Sequence, residues 1–134
     1  MLKTLFLALI VSVLTALPAA AENWVLVARA DGGTDYYIDT ESVEEGSNST
    51  YLFWRMSVSS KPDENGIVAT KTYVSMSCPL QGWRRKAYAS FNGQGELVSR
   101  EDLGDTEPLQ FFTSGSVGEA LWKFVCKSGR SSRQ

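Results

Sequence analysis

The chain has 134 residues, 43% hydrophobic, 21% charged and 11% aromatic, with a formal net charge of −2. One compact globular domain fits this length and mix, whereas a disordered, fibrous or dedicated nucleic-acid-binding chain does not. The absence of histidine removes His-ligated metal sites, Ser-His-Asp and Cys-His catalysis and the usual neutral-pH proton shuttle.

Residues 1–21 read as a secretory signal. Lys3 supplies the positive start, Leu5 to Leu17 the apolar stretch, Pro18 the break, and Ala19-Ala20-Ala21 the cleavage site before Glu22. The stretch is shorter than an ordinary transmembrane helix; an uncleaved anchor is the alternative. No Cys stands at the processing site, so lipid attachment there is not expected. No second apolar segment follows, so the processed chain is expected to be exported, periplasmic or secreted, with no stable membrane insertion. Removal of the signal takes Lys3 with it and leaves 113 residues carrying 12 basic against 15 acidic groups.

Strands and turns dominate residues 22–113. Trp24 to Ala30 is an apolar run of strand length, closed by Asp31-Gly32-Gly33, and Tyr36 to Asp39 is a short second strand. Thr40 to Gly46 is polar and acidic, and the Asn48-Ser49-Thr50 sequon beyond it is read as chance. Thr50 to Ser59 is rich in aromatic and β-branched residues, and a hairpin loop over 61–66 leads to a strand over Val68 to Cys78. Pro79 to Gly82 turns the chain into Trp83 to Phe91, and Asn92-Gly93-Gln94-Gly95 turns it again into Glu96 to Glu101. Short turns between successive strands predict an antiparallel meander.

The two-residue period of a strand assigns faces. Leu52, Trp54, Met56 and Val58 share one side; Val68, Val74, Met76 and Cys78 share another apolar side. Ala87, Ala89 and Phe91 are expected to oppose Arg84, Lys86 and Ser90, and the two alanines leave room for something bulky on the face that carries Cys78. The bulky element is expected to be the last segment. Ser116-Val117-Gly118-Glu119 has the form of a capping box, and Val117, Ala120, Leu121, Phe124 and Val125 fall at helical spacing, predicting a helix over about 117–128. Trp122 and Cys126 lie beside its apolar arc, and 129–134 is expected to be a disordered tail.

Two cysteines in an exported chain, Cys78 and Cys126, predict one disulfide, with a redox or metal pair as alternatives. The fold class is therefore α+β: a single curved antiparallel sheet of about six strands, with one C-terminal helix packed on one face and tethered by that disulfide.

Chemistry is sparse. G-x-S-x-G, S-x-x-K and phosphate-cradle patterns are absent, so no catalytic residue, metal or cofactor is expected. Asp31, Asp35, Asp39, Glu41, Glu44 and Glu45 cluster; the expected reading is a solvated turn in which Asp39 caps the residues after it. A small periplasmic hydrolase built on Asp35 and Asp39 is an alternative. Arg84, Arg85 and Lys86 form the one basic cluster, a weak candidate for binding an acidic surface or a sulfated glycan, against a plain charged strand face. Tyr51 and Phe53 alternate with Leu52 and Trp54, so this strand is apolar on both faces. The helix covers one; the other needs a second subunit, a ligand or the 102–113 loop.

The arrangement resembles the surface-adhesin protein E family of bacteria. The resemblance rests on Trp24, Tyr36-Tyr37-Ile38-Asp39 followed by Ser42-Val43, Trp54, Cys78, Arg84-Arg85, Tyr88, Gly95 before Val98, Ser114 to Glu119, and Cys126. It implies a six-stranded antiparallel sheet with a C-terminal helix tethered to the concave side. It also implies a bacterial adhesin of extracellular-matrix proteins that can dimerise, and no catalytic residues. The family's best-known member is a lipoprotein, and this sequence departs from it at the processing site. The expected function is an exported non-enzymatic binding module with protein or envelope partners; a structural periplasmic dimer subunit is the other alternative.

Overall fold

The structure, a computed structural model, describes residues 22–128. The expected signal over 1–21 and tail over 129–134 lie outside the described residues.

The strands are β1 (Trp24–Ala30), β2 (Thr34–Asp39), β3 (Glu44–Glu45), β4 (Thr50–Ser59), β5 (Ile67–Ser77), β6 (Gly82–Asn92), β7 (Leu97–Asp102) and β8 (Gln110–Phe111). All pair antiparallel in one sheet of order β1-β2-β4-β5-β6-β7, with β3 added to β4 and β8 to β6. The expected six strands are this path. The count rises to eight because β3 and β8 are two-residue strands, too short to show an alternating pattern.

Turn chemistry sets the meander. Asp63 Oδ1 accepts from the amides of Asn65 at 2.8 Å and Ile67 at 2.9 Å, while Asn92 Oδ1 accepts from Gln94 at 3.0 Å and Glu96 at 2.9 Å. Each loop is closed by a side chain that mimics a backbone turn, and each holds a glycine at positive φ, Gly66 at 79° and Gly95 at 80°. Between β2 and β3 the chain makes one 3₁₀ turn, Thr40–Ser42, whose Ser42 Oγ accepts from the Trp54 amide at 2.9 Å. That turn lets one half of β4 pair with β2 and the other with β3.

The core lies between the sheet and the C-terminal helix. Tyr51 and Phe53 of β4 stand directly opposite Met76 and Val74 of β5. With Ile38, Leu121 and Val125 they are all nearly inaccessible to solvent. Side chains paired across neighbouring strands share a face, so the helix covers the odd-numbered side of β4.

The helix is α1, Val117–Trp122, continued by a π-helical stretch over Lys123–Ser128. Ser116 Oγ accepts from the Glu119 amide at 3.2 Å, as a capping box requires, but the Glu119 carboxylate takes the Gly115 amide, at 2.8 Å, rather than that of Ser116. The wider π turn bonds residue i to i+5. It stacks Cys126 over Leu121 and carries it from beside the apolar arc, where regular α spacing puts it, into the core, where it is 3% exposed.

One expected face assignment is corrected. The β5–β6 register places Ser75 opposite Arg84, Val74 opposite Arg85 and Tyr73 opposite Ala87, so Lys86 is an extra residue in a bulge. A bulge reverses the alternation beyond it. Arg84 and Ala87 therefore share a face, and Ala87 and Ala89 sit on the side away from the helix, next to Tyr73 and Lys71.

Candidate functional site

The sheet face away from the helix is built from three cross-strand rows. Trp54 stands opposite Tyr73, and Tyr73 opposite Ala87; the two rings lie 5.0 Å apart at 37°. In the next row Met56, Lys71, Ala89 and Arg100 follow one another across β4 to β7, and in the third come Val58, Ala69, Phe91 and Leu97. The pair of alanines between larger neighbours leaves a groove of about 460 Å³ with Ala87 and Ala89 as its floor, bordered by Trp54, Phe91, Leu97 and Arg100. Every residue lining it belongs to β4, β6 or β7, so the sheet alone forms it. Leu97 at its border is 50% exposed.

Charge enters this face through Lys71, whose Nζ lies 5.6 Å from the Trp24 ring centroid and 5.7 Å from that of Phe91. An ammonium between two ring faces is held electrostatically while its stem covers apolar surface. Beside the groove, β7 is the last strand in the order, and its outer backbone edge has no strand partner among the described residues. Arg100, Glu101 and Asp102 on it are the charges with which sheet edges discourage indiscriminate pairing.

The basic cluster does not converge. Arg84 borders a second depression on the open face with Thr50, Ser75 and Ser77, and its Nε is buried with no hydrogen-bond partner. Arg85 projects on the helix side, where Nε and Nη2 donate to Glu107 Oε1 at 3.0 and 2.9 Å. Lys86 Nζ donates to Asp105 Oδ1 at 2.7 Å. This contact holds the Asp105 carboxyl below its ordinary range, first through the hydrogen bond and then through the lysine's charge. Two of the three cations are thus matched by acids of the segment that follows β7.

The acidic cluster is dispersed over β2, β3 and the turns beside them. Asp39 is buried, accepts from the amides of Asn23 at 2.9 Å and Glu41 at 3.1 Å, and caps the 3₁₀ turn as expected. Asp35 pairs with Arg29 at 3.5 Å. Asp35 and Asp39 lie four residues apart along one strand, about 13 Å between backbone positions, and each carboxylate is engaged by partners of its own. Asp31, Glu41, Glu44 and Glu45 are exposed. Among the described residues no three Cys, Asp or Glu side chains gather as a metal site needs.

Cys78 and Cys126 are bonded, with Cα atoms 5.7 Å apart. Trp122 Nε1 donates to the Cys78 carbonyl at 3.1 Å, so the end of β5 holds the helix by two adjacent links.

A residue that strand patterning passes over is Arg55. It is in phase with Tyr51 and Phe53 on the helix side, and its guanidinium carbon lies 5.3 Å from the Trp83 ring centroid and 5.9 Å from that of Tyr36. The available signal is an arginine at a core-facing position of a strand otherwise aromatic on that side.

The sequence model of a family described as surface-adhesin protein E matches residues 24–127, from β1 through the cysteine tether. No curated protein matches the chain.

Proposed function

The chain belongs to the surface-adhesin protein E family, and from that premise we propose that it is an exported, non-enzymatic binding module whose open sheet face takes a protein or envelope partner. The observation that carries this reading is the alanine-floored groove beside the free edge of β7. A groove with aromatic walls accepts an apolar side chain, and an unpaired strand edge next to it offers main-chain hydrogen bonds to an extended segment. Export is supported by the family and by the disulfide, a bond that persists in oxidising compartments.

The test is saturable binding of the purified protein to a panel of extracellular-matrix proteins and isolated envelope components, with Ala89→Trp filling the groove. Affinity for the partner is expected to fall at least tenfold in the variant while the thermal midpoint stays put. Equal binding by both proteins, or no saturable binding to any panel member, overturns the proposal. Light scattering separates the remaining occupant, a second copy of the chain, which would show as a dimer lost in Ala89→Trp.

A further inference from the structure

Arg55 lines a cavity of about 190 Å³ between β4, β5 and the start of α1, on the side of the sheet away from the groove. The walls are largely apolar, with Phe53, Val74, Met76, Trp83 and Leu121 among them, and Tyr36 brings a hydroxyl-bearing ring to the same lining. Into this apolar chamber the sheet places one full positive charge.

That charge has no counter-ion among the described residues. Arg55 makes no ion pair, and its Nε is buried without a hydrogen-bond partner. Its guanidinium meets the rings of Tyr36 and Trp83. Ring faces stabilise the charge but accept none of its five N–H groups in ordinary hydrogen bonds. Arg85, on the same side of the sheet, sends its own fork to Glu107, and its charge still disfavours that of Arg55. Burial pushes the Arg55 pKa down, opposed by Tyr36 and assisted by Arg85. Arg55 is half-buried, and its one buried donor without a partner is Nε; an unpaired buried donor is costly unless a partner arrives, and the partner whose geometry matches a guanidinium fork is a carboxylate.

We infer that this cavity binds a small monocarboxylate, its carboxyl on the Arg55 guanidinium and its apolar body against Phe53, Met76 and Leu121. Size limits the body. An apolar cavity of about 150 Å³ takes one benzene ring, so about 190 Å³ takes a chain or ring of roughly seven or eight non-hydrogen atoms, carboxyl included. Dianions are disfavoured, because a single unpaired arginine offsets one charge. This site is independent of the proposed partner groove, which lies on the opposite face.

The experiment is a set of NMR titrations of the full-length protein with hexanoate, hexanol and hexylamine, which share a body and differ in head group. Hexanoate is expected to bind at least tenfold more tightly than hexanol, with hexylamine weakest, and to shift the Trp83 indole and the Val117 and Leu121 methyl signals. Arg55→Met, a neutral residue of similar length, erases the preference for hexanoate over hexanol. Ala89→Trp leaves it intact, so failure of the partner groove and failure of this site are distinguishable. Equal affinity for hexanoate and hexanol in the unaltered protein overturns the inference. So does absence of binding up to tens of millimolar, shifts confined to Ala87 and Ala89, or a preference surviving in Arg55→Met. The three-ligand comparison in the unaltered protein decides the question even where Arg55→Met does not fold.

Discussion

Removing the tether is the perturbation whose cost the structure fixes best. The Cys78–Cys126 bond spans 48 residues of sequence and encloses β6, β7, β8 and most of the helix. Closing a loop of that length removes about 4 kcal/mol of unfolded-chain entropy. Both sulfurs sit in the core, 6% and 3% exposed by residue, so a Cys78→Ala/Cys126→Ala pair also gives up a little packing. At the specific unfolding entropy of small domains, about 4 kcal/mol corresponds to roughly 18 °C in the melting midpoint of a domain this size. The helix cannot hold itself: α1 has six residues, too few to persist alone, and apart from the disulfide it depends on packing of Val117, Leu121, Phe124 and Val125 on the sheet and on the Trp122 bond to the Cys78 carbonyl. The double variant should therefore melt roughly 15–20 °C lower, with Trp122 emission shifting to the red ahead of global unfolding in urea. A midpoint within about 3 °C of the unaltered protein would mean that the helix is held by packing alone and would refute the reasoning.

Gly118→Ala tests packing against propensity: alanine favours a helix by up to about 1 kcal/mol over glycine, but the new Cβ would meet Phe112 Cβ at 2.7 Å, so urea denaturation should show a net loss. Gly82→Ala places a Cβ 2.9 Å from the Gln110 carbonyl oxygen and should cost about 1–3 kcal/mol, read as faster amide exchange in β8. Ser116→Ala removes the cap hydroxyl that accepts the Glu119 amide and should cost about 1 kcal/mol in the same denaturation assay. Asp105 titrates below its ordinary value because of Lys86. Its small contribution to stability is therefore present above the ordinary carboxylate range and lost as pH falls through its folded value. Carboxyl NMR should find that value restored toward normal in Lys86→Met.

Much of the fold was legible because its signals are local. Asp63 and Asn92 announce their hairpins by residue type and do their work within four residues. Ser116 and Glu119 announce a helix start in the same way, and Asp39 a cap. What patterning missed depends on register between strands. The bulge at Lys86 falls within three consecutive cations, Arg84-Arg85-Lys86, where there is no alternation to show a break, yet it moves Ala87 and Ala89 to the other face and turns an expected seat for the helix into a groove. The π turn after Trp122 likewise ends on a long-range partner, the bond from Cys126 to Cys78, which helical spacing does not display. Arg55 escapes patterning for a further reason: a charge among aromatics is taken for a surface residue until the opposite face of its strand proves to be the open one.

The most direct test of the open-face account is amide hydrogen exchange of the protein alone and bound to whichever matrix or envelope component it retains. The account predicts protection along β7 and over Ala87 to Phe91, with α1 and β1 unchanged. Protection confined to α1, β1 or the acidic turn over 40–46, with β7 exchanging as in the free protein, would contradict it.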